Sequence, residues 1–268
     1  MRNPPPLGLI CAGRADHLWI ARFPGIAENL GPVKGATYRL ASRTSNSLRC
    51  GFPVREFGDL ADCKILLLCM PDRAIRRTVE EMDALPWRWK GIGVVLVSAV
   101  LDSAELRPLA EKGASVASLH MLNLPDGKRF LMEGDREVIR EVREMLPLGA
   151  KFLPLTAEGK RFCLAGLFVA SEALAPIVHS ASKYFSGAGL HSREAAVLLE
   201  QSIQSSLRAY LKSGCCTRRS AEDRIYAERQ MEVLGATNPD LRQWLEHGAR
   251  RMAMRVRTTA KAARTMAG

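Results

Sequence analysis

Leu7-Gly-Leu-Ile-Cys-Ala-Gly13-Arg-Ala-Asp16 is a short apolar run that enters a glycine turn. An apolar run of this length bounded by a turn signal reads as a strand buried on both faces. Placed near the start of a chain, it reads as the opening of a phosphate-binding unit. In a dinucleotide fingerprint three glycines allow the tight turn, the close approach of pyrophosphate and the packing of helix on strand. Aligned on that pattern, Cys11, Gly13 and Asp16 occupy the three places, so only the middle glycine is kept. Gly13 is the one that admits phosphates to the backbone, whereas Asp16 sets a negative charge near the helix N-terminus where they would sit. Cys11, Ala12, Gly13 and Arg14 form the candidate cofactor-binding turn.

Outward from this turn, the first half alternates short β-like runs with helical periodicity, the pattern of a parallel sheet with helices on both faces. Strands are predicted at 7–11, 37–41, 64–70, 93–98, 115–119 and 130–133. The run 64–70 is continuously apolar after Lys64 and stops at Pro71-Asp72, as a central strand should. Asp72 is placed to cap the following helix, in which Ile75, Val79 and Met82 recur at helical spacing. Asp102 and Glu105 open another helix ahead of Leu106 and Leu109. From Thr156 the pattern is helical alone. The stretch 160–185 is apolar around most of its circumference and is predicted to be a buried central helix, kinked or divided by Pro176. Further helices are predicted at 193–211, 224–234 and 239–255. The division that follows is an α/β domain over 1–155 and an all-helical domain over 156–268.

A chain of 268 residues with 47% hydrophobic content can bury a large core. Its seven cysteines include no Cys-x-x-Cys pair, so reduced thiols are expected and a metal is not, and Cys215-Cys216 reads as two ordinary thiols. The most apolar segment is interrupted by Ser171, Glu172 and Pro176, and the N-terminus has no signal-peptide pattern, so a cytoplasmic protein without a membrane partner is expected. The net charge of +11 is concentrated at the end: Arg250, Arg251, Arg255, Arg257, Lys261 and Arg264 follow His247 with no carboxylate among them. With no aromatic residues interleaved to stack bases, this tail reads as a solvated helix end and nucleic acid is not an expected partner.

With the glycine turn, Ser42-Arg43-Thr44, Met70-Pro71-Asp72 and the all-helical second half in place, the chain resembles a bacterial family over nearly its whole length. That family pairs a Rossmann-like domain with the domain of unknown function 2520. It is related to pyrroline-5-carboxylate, ketopantoate and 6-phosphogluconate type reductases. Its Pro-Asp stands here as Pro71-Asp72 and its Ser-Gly turn as Ser98-Ala99. Its Ser-Leu-His-Pro segment becomes Ser118-Leu119-His120-Met121, and Phe162-Cys163-Leu164-Ala165 replaces its Tyr-His-Ala-Ala.

The resemblance implies an NADPH-dependent reductase of a small carbonyl or imine compound, with a 2-oxo acid among the candidates, acting as a homodimer. Ser42, Arg43 and Thr44, at the end of the predicted second strand, then face the 2′-phosphate of NADP, for which a guanidinium supplies charge-assisted bonds. Met70 and Pro71 would wall the nicotinamide. His120 is the candidate proton donor and Ser98 the candidate holder of a substrate carbonyl or nicotinamide amide. Lys160, where related reductases often carry a lysine, would orient an acidic substrate and stabilise charge on its oxygen. The alternative is a catalytically degenerate descendant that binds a nucleotide or a protein partner.

Overall fold

The computed structural model of the chain describes residues 7–12, 24–122, 128–146, 149–172, 174–213 and 221–248. Its centre is β1 (Leu7–Cys11), hydrogen-bonded in parallel to β2 (Leu30–Gly35) on one side and to β4 (Ile65–Cys69) on the other. Around them runs a sheet of order β3-β2-β1-β4-β5-β6-β7-β8, with β3 at Phe52–Val54, β5 at Gly93–Val97, β6 at Ser115–Met121, β7 at Arg129–Gly134 and β8 at Lys151–Pro154. Only the β6–β7 pairing among these is antiparallel. The chain leaves β1 toward one edge through β2 and β3, then crosses back to β4. That reversal makes a switch point, with a crevice at the carboxyl ends of β1 and β4.

Strand alternation explains the two layers of core. Leu7, Leu9 and Cys11 with Ile65, Leu67 and Cys69 face one side of the sheet, where α2 (Tyr38–Leu48) and α5 (Arg136–Glu144) cover them. Ile10, Leu66, Leu68 and Met70 face the other, under α3 (Asp72–Asp83) and α4 (Arg107–Glu111). A short helix, α1 (Pro24–Asn29), leads into β2. These strands are apolar at successive positions because both of their faces are buried.

The second strand corrects the sequence reading. Residues 37–41 are not a strand; Thr37 caps α2 by accepting a hydrogen bond from the Leu40 amide at 3.2 Å, and Ala41, Thr44, Ser45 and Leu48 form its buried stripe. Ser42, Arg43 and Thr44 therefore lie within a helix and not at a strand end. The strand itself, Leu30–Gly35, contains Pro32 and two glycines, residues that weaken any strand signal. β3 and β8 were likewise not foreseen, being only three and four residues long. Asp72 is also not a cap: Pro71 holds that position without a side-chain bond, and Asp72 begins the helix.

The predicted helix over 160–185 is two helices, α6 (Ala157–Ser171) and α7 (Ala175–Gly187). The break falls just ahead of Pro176, whose ring and missing amide favour a first-turn position. Its apolar residues are not buried as expected: Phe162 is 71% exposed, Phe168 62% and Val169 63%. The chain divides into two compact units, Met1–Pro176 and Ile177–Gly268, and α6 lies in the first with the sheet. The described residues of the second unit are largely helical. This unit holds most of α7, then α8 (Ser192–Ser213), α9 (Ala221–Thr237) and a helical stretch over 239–248, and Tyr184 meets Thr237 through their hydroxyls at 2.6 Å.

Candidate functional site

Two adjoining cavities open at the carboxyl ends of the strands, sharing Met70. The first, about 340 Å³, begins at the end of β1 with Ile10, Cys11 and Ala12 and continues along Lys34, Gly35 and Ala36 at the end of β2. Phe57 and the α3 residues Ala74, Arg77, Thr78 and Glu81 complete its lining. Lys34 donates to the Gly35 carbonyl at 2.9 Å and its ammonium stands 4.9 Å from the Phe57 ring centre. Arg77 pairs with Glu81 one helical turn on, at 2.9 Å. The first cavity therefore joins small backbone-exposing residues to two cations, one of them paired with the Glu81 carboxylate.

The second cavity, about 330 Å³, lies at the ends of β4, β5 and β6. Met70, Pro71 and Asp72 form one wall, Val97, Ser98 and Ala99 the next, and His120 and Met121 the third. Ser98 is held rigidly. Its hydroxyl donates to Asp72 Oδ1 at 2.7 Å and accepts from the amides of Val100 and Leu101 at 3.0 and 2.9 Å. His120 is half-buried, and its imidazole pKa is lowered from the usual 6.5, first by burial and then by the charge on Lys160. A neutral imidazole facing a cavity can accept or relay a proton near neutral pH.

Beneath this wall lies a buried polar cluster. Lys160 is 1% exposed, not the surface residue that helix starts usually carry. Its ammonium donates to the carbonyls of Ser98 and Leu101 at 3.0 and 2.5 Å and to the Ser118 hydroxyl at 2.8 Å. Burial pushes its pKa down, opposed by the carboxylates of Glu133, Asp102 and Asp72. Ser118 passes a hydrogen bond on to Glu133, which also accepts from the amide and hydroxyl of Ser103, both at 2.7 Å. Asp102, 3% exposed, accepts from Arg161 at 2.6 Å and caps the turn Ser103–Leu106 through the Ala104 amide.

Among the residues singled out from sequence, the structure brings Met70, Pro71, Ser98 and His120 to one cavity and puts Lys160 directly behind it. Cys11 and Ala12 line the other, with the Cys11 sulfur 3.6 Å from the Thr44 hydroxyl. Gly13 and Arg14 lie outside the described residues, as do Asp16, Cys215, Cys216 and the basic tail. Ser42, Arg43 and Thr44 line neither cavity: Arg43 is exposed on α2 and Thr44 is buried under it. The residues missed are Lys34 and Arg77, and the partners Ser118, Ser103 and Glu133. Glu133 had a signal, a carboxylate closing the apolar run Phe130-Leu-Met132 in a predicted strand.

No family model matches the chain, and a search of the curated proteins finds no match. Solved structures share its fold. An imine reductase variant from Myxococcus stipitatus, in complex with NAD+, has 14% identity and a TM-score of 0.69 over 94% of this chain and 94% of its own. An imine reductase from Aspergillus terreus, in complex with NADPH4 and a dibenzazepine, has 15% identity and a TM-score of 0.65 over 91% of this chain and 94% of its own. A pyrroline-5-carboxylate reductase from Coxiella burnetii has 14% identity and a TM-score of 0.55 over 94% of this chain and 97% of its own. The fold of this chain is thus Rossmann-like, a largely parallel sheet with helices followed by a helical region, and these solved structures share it.

Proposed function

We propose that the chain is an NADP-dependent oxidoreductase that reduces a small carbonyl or imine compound. The observation that carries this reading is the pair of adjoining cavities at the β1–β4 switch point, the second of them walled by Ser98 and His120. The donor set suits a dinucleotide: Lys34 and Arg77 offer charge to phosphates, Ile10 and Phe57 offer apolar surface, and the turn begun by Cys11 and Ala12 continues in the sequence through Gly13 and Arg14. With β2 ending at Gly35, the 2′-phosphate role read for Arg43 passes to Lys34 and Arg77. The solved neighbours that hold NAD+ and NADPH are consistent with this assignment. Pro71-Asp72, Ser98 and Ser118-Leu119-His120 support kinship with the family that carries the domain of unknown function 2520.

When bound, the nicotinamide supplies the hydride. The chain's own residues position and protonate. Ser98, fixed through Asp72, orients the acceptor, and His120 relays a proton to the oxygen or nitrogen of its C=O or C=N group. The described lining of the second cavity contains the Asp72 carboxylate and no lysine or arginine, which favours an imine over a 2-oxo acid. The exposed apolar residues of α6 suit a second copy of the chain, giving a homodimer. The thiols of Cys50, Cys63 and Cys163 suit the reducing cytoplasm.

Thermal unfolding in the presence of each cofactor tests the reading. At about a hundred times its Kd, NADPH is expected to raise the Tm by roughly 5–10 °C, with a smaller shift for NADH at the same concentration. Lys34→Ala combined with Arg77→Ala should narrow that difference. No shift with either cofactor overturns the reductase and favours the degenerate descendant.

A further inference from the structure

A lysine ammonium has three hydrogens to give and no lone pair to receive with. In Lys160 all three are given to the protein, two to main-chain carbonyls of the turn after β5 and one to Ser118 in the middle of β6. The carboxylate that balances this charge is Glu133 on β7, itself 1% exposed, reached through the Ser118 hydroxyl, which accepts from the ammonium and donates to the carboxylate. Both Glu133 oxygens are occupied, because Ser103 gives its amide to one and its hydroxyl to the other. A buried charge pair persists only when it is hydrogen-bonded, and here the bonds come from Ser118 on β6 and from the turns at 98–101 and 103–106.

We infer that Lys160 and Glu133 form a serine-bridged buried ion pair that clasps the turns at 98–101 and 103–106 to the paired strands β6 and β7 at Ser118 and Glu133. Lys160 is then a positioning residue for Ser98, Asp72 and His120, not a group that meets the ligand. The clasp acts from behind. Lys160 fixes the Ser98 carbonyl, the Ser98 hydroxyl fixes the Val100 and Leu101 amides and orients Asp72, and the Leu101 carbonyl returns to Lys160. The charged groups around the ammonium are Asp72 from α3, Asp102 from the turn, Glu133 from β7 and His120 from β6, with Arg161 neutralising Asp102 from the exposed side. Loss of the ammonium would release the turn and remove a positive charge from the neighbourhood of His120. That the clasped wall serves a ligand rests on the reductase reading; the clasp itself does not.

The test compares the purified full chain with Lys160→Met, Glu133→Gln and the double variant, using no cofactor and no turnover. Amide hydrogen exchange is read at Val100, Leu101 and Ser103 against the amides of β1 and β4. The His120 imidazole is titrated by NMR, its signal assigned by its absence in His120→Gln, and urea midpoints are measured for all four proteins. In Lys160→Met the three amides should exchange at least about tenfold faster than the reference strands allow, and the His120 midpoint should move up. Each single variant strands one buried charge, so the double should lose less than the sum of the two. If Lys160→Met does not fold, the double variant, which keeps neither charge, must still show faster exchange and the raised His120 midpoint. Unchanged exchange and titration, or additive losses, overturn the clasp. Because a failed NADPH shift leaves these readouts intact, the two readings fail separately.

Discussion

Ser98 shows how much one hydroxyl can organise when it sits at a strand end. It is donor to Asp72 and acceptor for two amides, so Ser98→Ala removes three bonds and leaves the Val100 and Leu101 amides without their partner. The expected cost is about 1–3 kcal/mol, seen as a lower urea midpoint at unchanged slope. His120 makes a different contribution, through pH. Its folded pKa lies below the ordinary 6.5, so as pH falls the unfolded chain takes up the proton first. Stability from this group is full above the unfolded value, declines as pH drops through 6.5, and levels off below the folded value. Urea unfolding between about pH 7.5 and 5 should show that slope in the native protein and a shallower one in His120→Gln. The placement of both was legible in the sequence, because Ser98 closes the apolar run 93–97 and His120 follows the predicted strand 115–119. The burial of Lys160 was not, since its acceptors lie 42 to 62 residues away and only the closed sheet brings them to the start of α6.

Among the elements, α2 is the one whose identity changes the chemistry. If Thr37 is its cap, Thr37→Ala should cost about 1 kcal/mol in urea unfolding, whereas an alanine in an exposed strand position would be nearly silent. β7 offers a second check at its end. Gly134 has a φ of +116°, and an added Cβ would meet the Val116 carbonyl oxygen, so Gly134→Ala should destabilise by about 1–3 kcal/mol in the same assay. The contrast between β4 and β2 explains what could be read. In β4 every residue from Ile65 to Cys69 is apolar, because both sheet faces are covered and nothing else is asked of the strand. β2 is also an interior strand, yet Gly31, Pro32 and Gly35 dilute its pattern, while Tyr38-Arg-Leu-Ala41 behind it looks more like a strand. The hydroxyl-rich helix was mistaken for strand and turn because Thr44 and Ser45, polar by type, belong to its buried stripe. The proposed adenosine-side role moves with that strand, from Arg43 to Lys34 and Arg77.

At the scale of the molecule, the alternation of strands and helices followed by helices alone was legible, while what covers the helices was not. An apolar circumference says that a helix is shielded and says nothing of by what. On α6 the chain itself leaves Phe162, Phe168 and Val169 open, and within the second unit Leu207, Leu211 and Trp244 are more than 40% exposed as well. The stretch Ala157–Gly187 even meets the length and mean hydropathy of a membrane span. Two features argue against that use: Lys160 is tied into the sheet unit by three bonds, and Arg161 by its pair with Asp102. Drawing α6 into a bilayer would break the clasp and strand Glu133. A second copy can cover the same face with those bonds kept, at a gain of roughly 25 cal/mol for each Å² of apolar surface removed from water. Sedimentation of the full chain should therefore give twice the chain mass, little changed by salt because the contact is apolar. Phe162→Glu with Phe168→Glu should shift it to the monomer and leave the Ser98 and His120 readouts as in the native protein. A native chain that sediments as a monomer, or that floats with neutral lipid vesicles, overturns the dimer and reopens the question of what α6 meets.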